Sequence, residues 1–256
     1  MKSDMQNIRK RGFNMERSQN TRCLHLQEDE GKLENFGALS YPIYQTVAYE
    51  HPGVGESLGY DYSRLQNPTK EHLEKIVASL EYGKKAYALS TGMAAITLLM
   101  EIFEPGDHII AEADLYGGSI RLFNNVSKKN HYEFTYLDCS KDDIEGAVKE
   151  NTKAIYIETP TNPMMHVTDI AKVAEIAKRH HLILIVDNTF LSPYFQNPLK
   201  LGADVVIHSG TKFLGGHNDT LAGFIVTSNE EIEEKLSFLI KTTGAGLAPF
   251  DSWLIM

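Results

Sequence analysis

Cysteine is scarce. Cys23 and Cys139 are the only two in 256 residues, far apart and in no CxxC pair. A disulfide framework and a zinc ribbon are therefore excluded, and a reducing cytoplasm is the expected compartment. Basic excess is absent as well: a formal net charge of -9 and a pI near 5.6 give no sequence-independent hold on nucleic acid or an anionic membrane. No apolar run reaches the roughly 18 residues that a membrane-spanning helix needs, and the opening MKSDMQNIRKRGFNMER has no apolar stretch of the signal-peptide kind. Internal repeats and low-complexity tracts are missing. No GxGxxG follows the first strand-like run and no GxxxxGK[ST] occurs, which leaves a nucleotide-binding reading only the Gly215-Gly216 pair. His180, His181 and His217 stand in no zinc-ligand spacing, so no metal is assigned.

What is present is a chain 42% hydrophobic, long enough to bury a large core. Residues 1–70 are rich in polar and turn residues, with Gly53, Gly55, Gly59 and Pro68 interrupting any long period; they read as an arm lying against something else. From residue 71 the texture changes. EHLEKIVASLE places Leu73, Ile76, Val77 and Leu80 on one helical face. Short apolar runs then recur at Ala86–Leu89, His108–Ala111, Phe134–Leu137, Ala154–Ile157, Leu182–Val186, Asp204–His208 and Ala222–Val226, each bounded by turn chemistry. Helical patterns alternate with them, such as Thr168–Arg179 with Thr168 as its expected N-cap. The alternation predicts an α/β fold whose mainly parallel seven-stranded sheet is flanked by helices. In such sheets ligands gather beyond the carboxyl ends of the strands.

Those ends carry the unusual residues. Leu182–Val186 stops at Asp187, followed by Asn188 and Thr189, and a buried carboxylate there needs a cationic partner. The next strand runs into Ser209-Gly210-Thr211-Lys212, two hydroxyls and an amine suited to a phosphate and a carbonyl. Ala86–Leu89 runs into Ser90-Thr91-Gly92-Met93 and an apolar helix, so a helix N-terminus offers an anion seat. After His108–Ala111, Gly117 and Gly118 let the chain turn closely and leave Tyr116 able to lie over a flat ring. After Ala154–Ile157, the prolines of ETPTNP hold an extended loop that aims Asn162. Assembled, these parts call for a planar aromatic cofactor with a phosphate, a ring nitrogen to be kept protonated and an aldehyde that a lysine captures. Pyridoxal phosphate has all of these.

The motifs YDYSRLQNPT, STGMAA, DLYGGS, ETPTNP, VDNTF and HSGTKFLGGH occur here in one order. In them the chain resembles, over nearly its whole length, the Cys/Met-metabolism group of pyridoxal-phosphate enzymes: cystathionine γ-synthase, cystathionine γ- and β-lyases, methionine γ-lyase and homoserine sulfhydrylases. The resemblance implies the fold of the aspartate aminotransferase type I enzymes. It implies that Lys212 carries the cofactor and shuttles protons, that Asp187 keeps the pyridine nitrogen protonated, and that Thr189 belongs to the same site. Gly92, Met93, Ser209 and Thr211 would bind the phosphate, Tyr116 would stack on the ring and assist proton transfer, and Asn162 would face the ring hydroxyl. Tyr62 and Arg64 would cross a dimer interface to the neighbouring subunit's phosphate. A homodimer pairing into a homotetramer follows from the resemblance, with residues 1–70 as the arm and 71–256 as the cofactor-binding large domain.

The same resemblance implies a smaller C-terminal domain, carrying the arginine for the substrate's α-carboxylate, that is missing from these residues. The chain by itself is then expected to bind cofactor weakly and turn over little. Within the group, methionine γ-lyases commonly carry a cysteine two residues after the stacking tyrosine, where this chain has Gly118. The expected activity is transsulfuration of an amino-acid substrate, as cystathionine γ-synthase or γ-lyase, with β-lyase, O-acetylhomoserine sulfhydrylase and methionine γ-lyase as alternatives. A non-catalytic interaction protein on the same fold is the alternative of a different class, though such a protein has little use for Lys212, Asp187, Tyr116 and Arg64 together.

Overall fold

The computed structural model describes residues 18–24 and 38–256; much of the expected arm, residues 1–17 and 25–37, lies outside the described residues. All seven predicted runs are strands, within two residues at either end: β1 (Lys85–Leu89), β2 (His108–Glu112), β3 (Glu133–Leu137), β4 (Thr152–Glu158), β5 (Ile183–Asp187), β6 (Val205–Ser209) and β7 (Gly223–Thr227). They form one sheet in the order β1-β7-β6-β5-β4-β2-β3. Only β7 runs against its neighbours, β1 and β6; every other pairing is parallel. Because helices cover both faces, the inner strands read as continuous apolar runs instead of alternating ones.

On one face α3 (Gly92–Met100) and α7 (Glu230–Thr243) pack Ile96, Leu99, Ile232 and Leu236 against Leu89, Tyr156, Ile185, Ile207 and Ile225. On the other, α5 (Ile170–Arg179) covers Ile155, Ile157, Leu184 and Val186, while α2 (Pro68–Glu81) lays Leu73 and Val77 on Ala88, Val206 and Phe224. The α2 helix begins three residues before the change of texture at 71, because Pro68 fits the first turn and Asn67 Oδ1 accepts from the N–H groups of Thr69 and Lys70. The N-cap of α5 is Asp169, not Thr168: Asp169 accepts from Lys172 N, whereas the Thr168 backbone is held by Thr159 Oγ1 at 2.9 Å. A buried backbone bond fixes Thr168 in the preceding loop, which leaves the next oxygen-bearing side chain to cap. The short α1 (Gln19–Leu24) docks on α2 through Arg22, which donates to Ser79 O at 2.6 Å and to the Tyr82 hydroxyl at 2.5 Å.

Three further helices complete the order: α4 (Gly117–Arg121), which opens after Tyr116, α6 (Ser192–Phe195) and α8 (Pro249–Ile255). Both cysteines are unpaired thiols, Cys23 exposed and Cys139 buried. Among the described residues no helix is long and apolar enough to cross a membrane.

Candidate active site

The carboxyl ends of β4, β5 and β6 bring the central candidates together. Asp187 closes β5 and is 7% exposed. Its Oδ1 accepts from Thr189 N at 3.0 Å and Thr189 Oγ1 at 2.6 Å. The same Thr189 oxygen accepts from Ser209 N at 2.8 Å, and Ser209 O accepts from Lys212 N at 3.2 Å. One run of hydrogen bonds therefore fixes the aspartate, both hydroxyl residues and the start of the lysine's loop as a unit. Burial raises the proton affinity of Asp187 above that of an ordinary carboxylate, and the Thr189 bonds oppose the rise.

Lys212 is exposed and lines a cavity of about 640 Å³ together with Ser90, Thr211 and Leu221. The Thr211 hydroxyl accepts from Ala222 N at 3.1 Å and donates to Ala222 O at 3.3 Å, tying this loop to the start of β7. Gly92 opens α3 directly against the end of β6. A Cβ there would lie 2.9 Å from Ser209 Cβ and 3.1 Å from its Cα, so glycine is what lets the helix N-terminus reach the strand end. The first N–H groups of a helix have no intrahelical acceptor, and at Gly92 this helix start lies against Ser209.

Tyr116 is 46% exposed, and its backbone N–H donates to Glu158 Oε2 at 2.8 Å. Gly118 follows it closely: a Cβ at that position would meet the Tyr116 ring at 2.4 Å and Met93 Sδ at 2.8 Å. Asn162 is exposed on the loop after β4, which Asp114 braces by accepting from Thr161 Oγ1 at 2.5 Å and Met164 N at 2.9 Å. Tyr62 and Arg64 do not join this group. Arg64 lies with its guanidinium 5.3 Å from the Tyr62 ring centre and donates to Lys241 O at the end of α7.

Several residues that matter here drew no role from the sequence. Glu158 closes β4 opposite Asp187 in the β4–β5 ladder and is 6% exposed. Burial and then the charge of Asp187 push its carboxyl up to about 8. The strand-end reasoning that singled out Asp187 applies equally to Glu158. Tyr156, two residues earlier on the same face, is fully buried with its hydroxyl unpartnered. On the opposite face His208 Nε2 lies 2.5 Å from Glu81 Oε1, and Asn188 Nδ2 donates to the same oxygen at 2.8 Å. That buried network holds the loop after β5 from beneath; its members are up to 127 positions apart in sequence and carry no local pattern that announces the pairing.

The model of the family described as Cys/Met metabolism PLP-dependent enzyme matches residues 20–256. The chain belongs to this family. It is 50% identical over 224 residues to a cystathionine gamma-lyase of Bacillus subtilis (strain 168), covering 87% of this chain and 59% of that protein. It is 51% identical over 221 residues to a cystathionine gamma-synthase/O-acetylhomoserine (thiol)-lyase of the same organism, covering 86% and 59%. Among solved structures, the cystathionine gamma-lyase of Lactobacillus plantarum complexed with L-serine superposes with a TM-score of 0.89 at 42% identity, over 93% of this chain and 62% of that one. The chain thus spans about three-fifths of the length of these relatives.

The cofactor named by the family fits the residues present. Asp187 is a buried carboxylate whose hydrogen-bond partners are neutral, as a counter-ion for a ring cation should be. The Gly92 contact with Ser209 makes a cradle that a single methyl group would fill. The half-exposed Tyr116 ring supplies a flat apolar surface beside them.

Proposed function

We propose that this protein is a pyridoxal-phosphate enzyme of transsulfuration, of the cystathionine γ-synthase or γ-lyase type, acting on an amino-acid substrate in the cytoplasm. The observation that carries the reading is the hydrogen-bond run from Asp187 through Thr189 and Ser209 to Lys212, which ties an acid, a phosphate seat and an amine into one frame.

When bound, the cofactor supplies an electron sink for negative charge at the substrate's Cα. The chain's own residues have distinct tasks. Asp187, oriented by Thr189, holds a proton on the ring nitrogen by standing beside it as an anion. Gly92 and Met93 N–H groups, with Ser209 and Thr211, bind the phosphate, and Asn162 faces the ring hydroxyl. Tyr116 covers the ring and keeps water from its face. Lys212 would hold the cofactor's carbonyl carbon, and its side-chain amine would take up the proton from the substrate's Cα. Tyr116 assists proton transfer at the leaving group.

Residues 71–256 act as the cofactor-binding domain and residues 1–70 as an arm to a neighbouring copy, in a homodimer that pairs into a homotetramer. Support comes from Tyr62, 41% exposed beside Arg64; both would serve the partner's phosphate. Gly118, at the position where methionine γ-lyases commonly carry a cysteine, favours transsulfuration over methionine γ-elimination.

The test is to supply the full-length protein and pyridoxal phosphate with O-acetylhomoserine plus cysteine, or with cystathionine alone. Cystathionine formed in the first mixture identifies a synthase; cysteine and an oxoacid released in the second identify a γ-lyase. Homocysteine release would replace the γ reading by β-elimination, and no turnover in either mixture, with cofactor bound, would refute the activity.

A further inference from the structure

The ends of β4 and β5 hold two carboxyl groups whose hydrogen-bond partners are neutral. Glu158 and Asp187 are register partners in the parallel ladder, where strands run about 4.8 Å apart. Both are buried. Residues two apart on a strand share a face, so Glu158, Asp187 and Tyr156 all point to the α3 side of the sheet. Glu158 accepts from the Tyr116 backbone and Asp187 from Thr189. The charges around the pair are mostly of the same sign: Glu112 and Asp114 at the end of β2 add negative charge, and His208, on the other face of β6, is the charged group that favours the anion. Two carboxylates that leave register-paired positions on the same face of a sheet, both buried, repel when both are ionised, and one proton held between them relieves the repulsion. A second observation marks the spot. Tyr156 Oη and Ser119 Oγ are both buried without a hydrogen-bond partner, and Tyr156 and Asp187 lie diagonally across the ladder.

We propose that Glu158 and Asp187 share a single proton, and that this proton resides on Glu158 whenever a cationic ring stands against Asp187, making Glu158 a positioning residue that keeps Asp187 the one anion of the pair. This rests on the reading of Asp187 as the ring-nitrogen partner. No bond other than O–H is made or broken: the proton leaves an Asp187 oxygen and joins a Glu158 oxygen, and the pair keeps one negative charge. The other Glu158 oxygen continues to hold Tyr116 N–H, so the protonation state of the pair is coupled to the residue that covers the ring. Tyr156 shares the face of the pair, diagonal to Asp187 in the ladder. As pH rises the pair loses its last proton, and the repelled second charge weakens the site.

The experiment compares wild type with Glu158→Gln, an uncharged isostere able to accept from Tyr116 and donate to Asp187. Pyridoxal phosphate affinity is measured from pH 6 to 10. The expected result is near-equal affinity at pH 7, with the ratio of variant to wild-type affinity then rising by up to about tenfold per pH unit above the pair's upper midpoint. Parallel pH profiles, or a Gln variant that folds but loses the cofactor at pH 7, would overturn the proposal. A cofactor-free readout keeps the two readings separate: side-chain carboxyl ¹³C NMR of the wild type should show Glu158 titrating near 8, and Asp187→Asn should lower that midpoint. Glu158 found ionised at pH 6 would overturn the shared proton whether or not the cofactor binds. Wild type that binds no cofactor, yet shows the raised midpoint, would instead refute the pyridoxal reading alone.

Discussion

Replacing Gly92 by alanine tests whether the anion seat depends on the closeness of α3 to the end of β6. The added methyl would lie 2.9 Å from Ser209 Cβ, 3.1 Å from Ser209 Cα and 3.2 Å from Ser209 Oγ. Two of these atoms belong to the backbone or sit directly on it, so the clash cannot be relieved by rotating a flexible tip. Either α3 lifts from the sheet or β6 bends, and overpacking of this kind costs about 1–3 kcal/mol. Against that stands the loss of glycine's unfolded-state entropy, worth about 0.4–1 kcal/mol in favour of alanine where the backbone permits it. The net expectation is a loss of about 1–2 kcal/mol. For a domain of this size each kcal/mol moves Tm by about 2–4 °C, so calorimetry should show a fall of about 2–8 °C. Cofactor affinity should fall as well, because the displaced groups are the phosphate donors. Gly117→Ala is the internal control: nothing lies within 4 Å of a Cβ there, and Tm should hold or rise slightly. A Gly92→Ala protein as stable as wild type, with cofactor affinity unchanged, would refute the reasoning.

Lys212→Ala should abolish turnover while leaving Tm within about 1 °C, since the side chain is exposed; substantial residual turnover would exclude its assigned role. Asp187→Asn should leave the Thr189 hydrogen bonds largely possible yet weaken cofactor affinity by removing the counter-charge, and titration with pyridoxal phosphate at pH 7 checks this; unchanged affinity and absorption would contradict the pairing. Glu81→Ala leaves the buried His208 ring and Asn188 amide without a shared acceptor and should cost about 1–3 kcal/mol in urea unfolding; no measurable loss would show that the pair is not buried as described. The cofactor-free protein should lose stability as pH climbs from about 4.5 to about 8, because the folded state keeps a proton on Glu158 that the unfolded chain has already released. Thermal melts across that window should slope downward, and the slope should flatten in Glu158→Gln.

Most of the sheet was legible because burial on both faces writes strands such as Leu182–Val186 as unbroken apolar runs, and their carboxyl ends announce themselves where the run meets Asp187 or Ser209. The reversal of β7 was not legible. Its run is as apolar as its parallel neighbours, and direction is set by the pairing of Gly223–Thr227 with β1 and β6. The cap of α5 was misplaced by one residue since Thr168 and Asp169 both carry a capping oxygen, and only the long-range bond to Thr159 decides between them. In the candidate site, Asp187 and Lys212 are singled out by local context alone. Glu158 took no role, although it ends an apolar run in the same manner, because its significance lies in standing opposite Asp187, a property of register. The Glu81–His208–Asn188 network spans α2, β6 and the loop after β5 and exists only once the chain is folded.

If Lys212 captures the cofactor in a site whose ring-nitrogen acid is Asp187, one lysine should react before all others. One equivalent of pyridoxal phosphate, fixed by borohydride reduction and followed by peptide mapping, tests this directly. The pyridoxyl group is expected on the peptide bearing Lys212, with labelling weakened in Asp187→Asn. Label spread over other exposed lysines with Lys212 unmodified would contradict it.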